Sequence, residues 1–280
     1  MPNHAKWTKV SSKTALYVAA TFFTLLMVFP VYWLFATSMK ADVDMYKIPP
    51  LWFPNPTLNN YQQAFAMRPL WQYVINSIVI TTVTTVISVL VGSMAGYGFS
   101  RFKFKGSGWL MMGILATRMI PPITLVFPLF IVMRNLHLLD TYLSLILAYT
   151  TFNTPFAIFL MYGFFENVPQ ELEEAAVIDG CSRMAAFYRI ILPISLPGVI
   201  STSIMCILLA WKDFLWALRF TYSPASQTIP VGITTYISNV GIAWGPVTAV
   251  GSLSVIPLLI FSLIVQKYMV KGLMAGAVKG

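Results

Sequence analysis

The sequence predicts an all-α membrane protein with six transmembrane helices and a helix-turn-helix segment on the cytoplasmic side. The 280 residues are 58% hydrophobic and only 10% charged, with a mean hydropathy of +0.74. Soluble domains are nearer half apolar and about a quarter charged. Helices are expected because every backbone amide inside lipid needs a partner within its own segment, and the alternating pattern of a membrane barrel is absent.

Six apolar runs are long enough to cross about 30 Å of hydrocarbon, which takes roughly 20 helical residues. The predicted spans are 15–36, 73–97, 109–133, 141–163, 197–211 and 247–269. The first run follows Lys6, Lys9 and Lys13, as the apolar core of a signal peptide would. It is longer than such a core and has no convincing small-residue cleavage site, so we interpret it as a retained span.

The distribution of lysine and arginine predicts the orientation. If the N-terminus is cytoplasmic, most of the 18 basic residues fall on the inner side, which favours two cytoplasmic termini. The net charge of +9 is spread singly between apolar runs and forms no basic face, so lipid headgroups are expected as its partner and nucleic acid is not. The proline-rich outer loop 37–72 is expected to lie extended on the membrane surface, and the loop 219–246 is similarly long. Either loop could be a connector or a functional segment.

Residues 170–193, QELEEAAVIDGCSRMAAFYRIILP, form a polar island in this apolar chain. Asn167 is a candidate N-cap, Pro169 suits a first helical turn, and the clustered acids suit a helix N-terminus. Gly180 suits the left-handed position that ends a helix, and a second helix can start at Ser182 and stop at Pro193. The island is then either a solvated loop or a helix-turn-helix that contacts another protein. In the second case Glu174 could pair with a basic residue of that protein.

The island resembles a known family motif. Glu174-Ala175-Ala176, Gly180, Ile190 and Leu192-Pro193 match the EAA loop of ABC importer permeases at each fixed position and spacing. The resemblance extends over nearly the whole chain and is strongest to the carbohydrate-uptake group, particularly the smaller maltose-type permease subunit. It is supported by TSMKADVDMYKIPPLWFPNPTLNNYQQAF, NSI, GYGFSRFKFKG, LHLLDTYLSLILAY, FLWAL and KGLMAGAVKG. Lys212 departs from the pattern, in which an asparagine is expected.

The resemblance implies one transmembrane domain over 1–280, with the EAA loop at about 164–194 and a cytoplasmic tail at about 270–280. It implies a permease for ATP-driven, binding-protein-dependent uptake of a carbohydrate across a bacterial or archaeal inner membrane. It also implies that the EAA loop docks into a separate ATPase. That role is carried over to Glu174, Ala175, Ala176, Gly180, Ile190, Leu192 and Pro193.

The implied partners are a second homologous permease, two ATPase subunits and an extracytoplasmic solute-binding protein. The chain contains no G-x-x-x-x-G-K-[ST] loop, so ATP and magnesium are expected on the ATPase and no cofactor on this chain. By the same resemblance, the tail from Ala275 to Gly280 would reach toward the ATPase pair. The outer loop from Ser223 to Gly245 would meet the binding protein.

A charged side chain inside a span usually faces an interior or a cavity. Arg118 in LATRMIPP is such a residue, and Pro121 and Pro122 beside it are expected to break the helix. Arg118, Pro121 and Asp213 are therefore candidates for lining a transport pathway. Alternatively, Arg118 pairs with freed carbonyls or with an acid of the partner permease. The aromatics Trp211, Phe214 and Trp216 could stack on sugar rings or serve as an interfacial belt.

Other functions are less well supported by the sequence. Arg118 would also suit a sugar phosphate such as glycerol phosphate. An ion-coupled secondary transporter usually needs acids deep in its spans, and only Asp213 comes close. An enzyme is not expected, because His4 and His137 lie in a tail and a loop and no catalytic or metal-binding motif occurs. A disulfide between Cys181 and Cys206 has little support.

Overall fold

The structure is a computed structural model that describes residues 4–102, 104–238 and 241–277, with side chains described for residue 13 and within 15–264. In chain order, its α-helices are α1 (His4–Ser38), α2 (Asp42–Met45), α3 (Asn59–Met67), α4 (Leu70–Arg101), α5 (Ser107–Ala116), α6 (Pro122–Asn135), α7 (Tyr142–Glu166), α8 (Glu171–Ile178), α9 (Arg183–Ala186), α10 (Leu192–Ile194), α11 (Leu196–Trp211), α12 (Leu215–Phe220), α13 (Ile229–Thr234) and α14 (Trp244–Ala277). The only strands in this part of the chain are β1 (Ile237–Ser238) and β2 (Gly241–Ile242), which pair antiparallel. The all-α prediction is confirmed.

Four helices of the described chain are long and apolar enough to cross a membrane. These candidate spans are Ala15–Ser38, Leu70–Arg101, Tyr142–Glu166 and Trp244–Ile264. Two further pairs of helices pass the same test together but are sharply bent, and each could be one broken span. The pairs are Ser107–Met119 with Pro122–Asn135, bent by 93°, and Arg183–Ile194 with Leu196–Trp211, bent by 77°. The number of spans is therefore four to six, and the predicted six is the upper value.

The break in the third predicted span follows from its two prolines. Thr117–Met119 tightens into a 3-10 turn, and Ile120 then takes the extended conformation that a following proline favours. Pro122 occupies the first turn of α6, where its missing N–H costs no helix hydrogen bond. The predicted helix break at Pro121 and Pro122 is confirmed.

The chain divides into two compact units. One comprises Met1–Arg68 with Tyr236–Leu253, and the other comprises Pro69–Thr235 with Ser254–Gly280. In the first unit, the Asn60 amide donates to the carbonyl oxygens of Ser38 and Lys40 at 2.8 and 2.7 Å. These bonds join α3 to the end of α1. The predicted extended loop 37–72 is therefore wrong in part, because α2 and α3 form within it and only its proline-rich middle lacks helix.

The second unit is organised around the packing of α4 on α7. A Cβ added at Gly92 would lie 2.5 Å from the Ala157 Cβ, and one at Gly96 would lie 2.8 Å from the Tyr162 nitrogen. These distances are too short for any side chain, so the two glycines allow the backbones to approach closely, as small residues do in membrane helix pairs. The same helix buries a series of hydroxyl residues: Ser77, Thr81, Thr84, Thr85, Ser88, Ser93 and Ser100.

Two of the buried clusters in this second unit bear on function. The first surrounds Tyr149 and Trp216 and includes Ile80, Met133, Leu145, Phe220 and Val231. The second lies nearer the end of α4 and comprises Tyr97, Met161, Phe165, Val168, Phe187 and Ile191. The clusters support the two regions in which the sequence-predicted functional residues lie.

Candidate functional site

The predicted turn at Gly180 is present. Gly180 has φ +90°, its N–H donates to the Val177 carbonyl at 3.0 Å, and the Cys181 N–H donates to the Ala176 carbonyl at 2.9 Å. This pair of bonds is the Schellman arrangement that closes a helix C-terminus on a left-handed residue. The Ser182 hydroxyl then accepts a hydrogen bond from the Ala185 N–H at 3.2 Å and caps α9. We call residues 167–195 the α8–α9 loop.

Two predicted boundaries of the α8–α9 loop are wrong. Asn167 is not the N-cap of α8, because its amide donates back to the Gly163 carbonyl at 2.7 Å and closes α7. Helix α8 begins later, at Glu171, without a side-chain cap. Pro193 does not stop the second helix, because it sits in the first turn of α10, where proline is tolerated. The chain bends two residues later, at Ser195.

The seven EAA-type residues divide between the surface and the interior of the chain. Glu174, Ala175 and Pro193 are exposed. Ala176 is only 4% exposed, while Ile190 and Leu192 pack on the cluster around Phe187. The residues of the motif that offer exposed surface on α8 are thus Glu174 and Ala175, and the rest build the fold of the loop.

A buried ion pair that the sequence analysis missed fastens α8 to the end of α4. The Arg101 Nε lies 3.1 Å from the Glu173 Oε2, and the two side chains are 4% and 10% exposed. The Tyr97 hydroxyl donates to the other carboxylate oxygen of Glu173 at 2.7 Å, and the Arg101 Nη2 donates to the Val168 carbonyl at 2.8 Å. Two residues of α4 therefore bind the α8–α9 loop at two points.

Nothing in the linear sequence pairs these side chains. Arg101 lies in the GYGFSRFKFKG stretch, where a basic residue after a span is explained by orientation alone. Glu173 is one of four acids of the island, and helical periodicity places it only about 100° around the helix from Glu174, which does not identify its partner. The fold brings Arg101 and Glu173 together.

A second site is a cavity of about 450 Å³. It is bounded by the broken span α5–α6, by α7 and by the segment that follows α11. Its lining residues are Thr117, Arg118, Ile120, Pro122, Leu125, Thr151, Phe152, Leu209, Lys212, Asp213, Phe214, Leu215 and Trp216. The structure thus brings Arg118 and Asp213 to one cavity, together with Phe214 and Trp216. The wall contains Pro122 where the sequence analysis named Pro121, which instead precedes the first turn of α6.

Arg118 is held by groups of its own chain. Its Nη1 donates to the Phe152 carbonyl at 2.6 Å, and its guanidinium carbon lies 5.0 Å from the centre of the Phe156 ring. Both partners lie on α7, on either side of Pro155, which cannot donate a helix hydrogen bond. The carbonyl that Arg118 binds thus lies on α7, away from the break at Pro121 and Pro122 where freed carbonyls were expected, and Arg118 also lies on the cavity wall.

Asp213 caps α12 from the same cavity. Its Oδ1 accepts hydrogen bonds from the N–H groups of Trp216 and Ala217 at 3.1 and 3.4 Å. An aromatic wall stands beside it, with the Phe152 and Trp216 rings stacked at 6.2 Å. The cavity thus offers aromatic faces together with charged groups of both signs.

The segment after α12 is anchored by two polar residues outside the cavity. The Asn76 amide donates to the carbonyls of Pro224 and Gln227 at 2.9 and 2.8 Å. The Asp140 carboxylate accepts from the N–H groups of Tyr222 and Ser223 at 2.9 and 3.0 Å, and also from the Ser226 hydroxyl. The first part of the predicted outer loop is therefore held firmly against α4 and the α6–α7 connection.

Groups suited to metal binding or disulfide formation are not apparent in the described part of the chain. No cluster of three or more His, Cys, Asp and Glu side chains is arranged there to hold a metal ion. Cys181 is half-buried and Cys206 is buried, and both are free thiols.

Broken spans that border a cavity containing charged side chains are typical of membrane transport proteins, and the fold places this chain in that class. A family model described as the binding-protein-dependent transport system inner membrane component matches residues 88–274. The chain belongs to this family, and the resemblance to ABC importer permeases is confirmed.

Similarity to individual proteins extends over the whole chain. It is 36% identical over 271 residues to the sulfoquinovosyl glycerol transport system permease protein of Agrobacterium fabrum, covering 96% of this chain and 95% of that one. It is 35% identical over 275 residues to the trehalose/maltose transport system permease protein of Thermococcus litoralis, covering 97% and 99%. A chain of a bacterial ABC transporter involved in alginate import has the same fold, with a TM-score of 0.80, 20% identity and coverage of 96% and 99%.

Proposed function

We propose that this chain is the transmembrane permease subunit of an ATP-driven importer that takes up a carbohydrate delivered by a solute-binding protein. The observation that carries the proposal is the family match over residues 88–274, which contains the complete EAA-type motif. The relatives' names support a sugar or sugar derivative as cargo, because both are permeases of such systems. The whole chain acts as one transmembrane domain of the inner membrane, with both termini in the cytoplasm.

In this proposal the α8–α9 loop engages the ATPase on the cytoplasmic side. Exposed Glu174 offers a carboxylate to a basic residue of the ATPase, and exposed Ala175 allows close approach. Ala176, Gly180, Ile190, Leu192 and Pro193 shape the loop that presents them. ATP and magnesium bind to the ATPase, of which two copies serve this chain and a second, homologous permease.

Two further contacts are proposed, one between the C-terminal tail and the ATPase pair and one between an outer loop and the binding protein. The tail from Ala275 to Gly280 would approach the ATPase pair, but its side chains and residues 278–280 lie outside the described residues. The loop from Ser223 to Gly245 would meet the binding protein. Its β-hairpin exposes Ile237 and Ile242, while residues 239 and 240 at its tip lie outside the described residues.

The cavity around Arg118 is proposed to line the transport pathway. Its aromatic wall suits the apolar face of a sugar ring, and its charged groups suit hydroxyls. A sugar phosphate is the second candidate cargo, because Arg118 and Lys212 give this cavity two cations beside one carboxylate. Because the Arg118 guanidinium already donates a hydrogen bond within the chain, a neutral sugar is favoured over a sugar phosphate.

The decisive experiment measures ATP hydrolysis by the purified complex with its binding protein, across a panel of neutral sugars, acidic sugars and glycerol phosphate. We expect a neutral or acidic sugar to stimulate hydrolysis. Stimulation by glycerol phosphate alone would replace the proposed cargo class, and no stimulation by any member would contradict carbohydrate uptake. Uptake that resists vanadate but stops with an uncoupler would instead indicate an ion-coupled transporter.

The proposed docking surface is tested in the same complex with Glu174→Ala. We expect the spans to stay folded while the ATPase no longer co-purifies, because the exposed carboxylate has lost its cationic partner. Glu171→Ala, which removes another exposed acid of α8, is the matched control and should retain the ATPase. Equal recovery of the ATPase with both variants would show that Glu174 is not part of the docking surface.

A further inference from the structure

Stability alone does not explain the buried ion pair between Arg101 and Glu173. Burying two charges is costly, and well-packed apolar residues often replace such a pair without loss. On one side the pair meets apolar and aromatic side chains, with the Tyr97 and Phe187 rings 4.6 Å apart and Phe165 beside them, and on the other it borders a pocket that Gln170, Glu174 and Arg183 also line. The best-attested role of a buried polar contact is to fix one geometry among several that apolar packing would tolerate.

The pair fixes the position of α8 relative to α4. Helix α8 has 8 residues and is about 12 Å long, too short to be stable without tertiary contacts. The Arg101 guanidinium reaches the Val168 carbonyl before α8 and the Glu173 carboxylate within it, at 2.8 and 3.1 Å. A hydrogen bond to the Val168 carbonyl and an ion pair with Glu173 thus hold the loop at two points, which opposes sliding and rotation of α8 on the end of α4.

The second helix of the loop contacts the same end of α4. The Arg183 guanidinium carbon lies 5.4 Å from the centre of the Phe102 ring, and Phe102 is the C-cap residue of α4. Both α8 and α9 therefore touch the last turn of α4. Glu174, one residue after Glu173 and about 100° around the helix, is exposed, so of these two neighbouring acids only Glu173 is buried against α4.

We propose that Arg101 and Glu173 are positioning residues that make the α8–α9 loop and α4 move as one body. Displacement of α8 by a docked protein then moves α4 directly, and α7 with it through the Gly92 and Gly96 contacts. Without the ion pair, a displacement of α8 bends the segments that connect α8 to α7 and to α9, and α4 does not move with it. This inference rests on the proposed function, since it presumes that a partner moves α8.

The first test needs only this chain in membranes and uses Cys181, which lies just after Gly180, as a natural reporter. Its rate of alkylation by a soluble maleimide is measured, with mass spectrometry to separate it from buried Cys206. We expect Arg101→Gln and Glu173→Gln each to accelerate labelling by about tenfold, because α8 opens more often. Matched controls are Lys105→Gln and Glu171→Gln, which remove exposed charges nearby and should label at the wild-type rate.

Rescue separates a specific pair from a general loss of structure. The exchanged variant Arg101→Glu with Glu173→Arg should label more slowly than either Gln variant. If the Gln variants do not fold, Tyr97→Phe removes one hydrogen bond to Glu173 and should accelerate labelling about threefold. Wild-type labelling rates in folded Arg101→Gln, Glu173→Gln or Tyr97→Phe chains would overturn the proposal.

The second test measures transport per ATP hydrolysed, using the panel sugar that stimulates the complex most. Glu173→Gln should still co-purify with the ATPase, unlike Glu174→Ala, yet transport at least about fivefold less sugar per ATP. If Cys181 is labelled faster but the amount of sugar transported per ATP is unchanged, the ion pair has only a structural role and the proposal is overturned. If no sugar stimulates the complex, the proposed function fails, whereas the labelling test still decides whether the pair holds α8 on α4.

Discussion

Gly180 shows how a single residue sets the shape of the α8–α9 loop. A Cβ at this position would meet no atom within 4 Å, so glycine is not required for space. It is required by φ +90°, which side chains other than glycine adopt at a cost. The turn therefore depends on backbone conformation alone.

Gly180→Ala is expected to destabilise the loop by about 1 kcal/mol through backbone strain. The effect should appear as faster alkylation of the adjacent Cys181 thiol, without a change in the melting of the whole chain. Gly163→Ala in α7 is a suitable control, because it also has open space but lies within a helix, where alanine is favoured. Equal labelling of both variants would contradict a strained turn.

Asp140 is a second residue that controls a local structure, and its effect depends on pH. Burial alone would raise the pKa of its carboxyl, but hydrogen bonds from Ser226, Ser223 and Tyr222 outweigh this and lower the pKa below its ordinary value of 3.8. The charged form therefore stabilises the 222–226 segment. This stabilisation is present above that value and is lost as the pH falls through the lower pKa of the folded chain.

We expect acidification below pH 4 to release the 222–226 segment, with a loss of about 1 kcal/mol for a partly exposed carboxylate. Hydrogen exchange of the Tyr222 and Ser223 amides, normalised for intrinsic rate, would report the change. Asp140→Asn should exchange faster at neutral pH and lose the acid dependence. Persistence of the acid-dependent release in Asp140→Asn would assign it to another group.

At the scale of elements, α4 and α7 form the central pair of the second unit. Their contact depends on Gly92 and Gly96, which leave no room for a side chain, and on buried hydroxyl groups along α4. Apolar surface gains little from helix association within lipid, so close packing and polar contacts carry the interaction. Substitutions at these glycines should therefore be costly.

Gly92→Leu is expected to force the helices apart and lower stability by about 1–3 kcal/mol or more. Gly98→Leu, six residues further along α4, is the matched control, because a Cβ added at Gly98 meets no atom within 4 Å. Thermal aggregation of the two variants in the same detergent provides the comparison. A Gly92→Leu chain as stable as Gly98→Leu would show that the close α4–α7 contact is not required.

At the scale of the whole molecule, the cavity unites side chains from three parts of the second unit. Phe214 is the aromatic lining residue that is best suited to a test, because it is 39% exposed and lies outside the buried cluster. Trp216 is only 2% exposed and belongs to that cluster, so its replacement would also damage the core.

Phe214→Ala is expected to reduce uptake of the stimulating sugar about fivefold, the equivalent of roughly 1 kcal/mol of lost ring contact. Leu218→Ala offers a matched control, since Leu218 is 40% exposed and does not line this cavity. Transport assays of the two variants in the assembled importer give the comparison. Similar uptake by both would argue against a sugar pathway along this aromatic wall.

The sequence alone determined the features that depend on local chemistry. Apolar length determined the candidate spans, the prolines after Arg118 determined the break in the third one, and Gly180 with Ser182 determined the turn and the cap between α8 and α9. The spacing of Glu174, Gly180 and Ile190 determined the family, because a motif is a property of the linear chain. Predicted helix boundaries were wrong where one residue could either end a helix or begin the next. Asn167, for example, was expected to cap α8 but closes α7.

Only the tertiary structure decided which distant residues meet. Arg101 and Glu173 are separated along the chain by α5, α6 and α7, and Asn76 lies far along the chain from the Pro224 and Gln227 carbonyls that it binds. No periodicity links such residues, because their proximity results from the packing of α4 on α7. The cavity arises in the same way, since the bend of one span brings Arg118 beside Phe152 and into the cavity that Asp213 also lines.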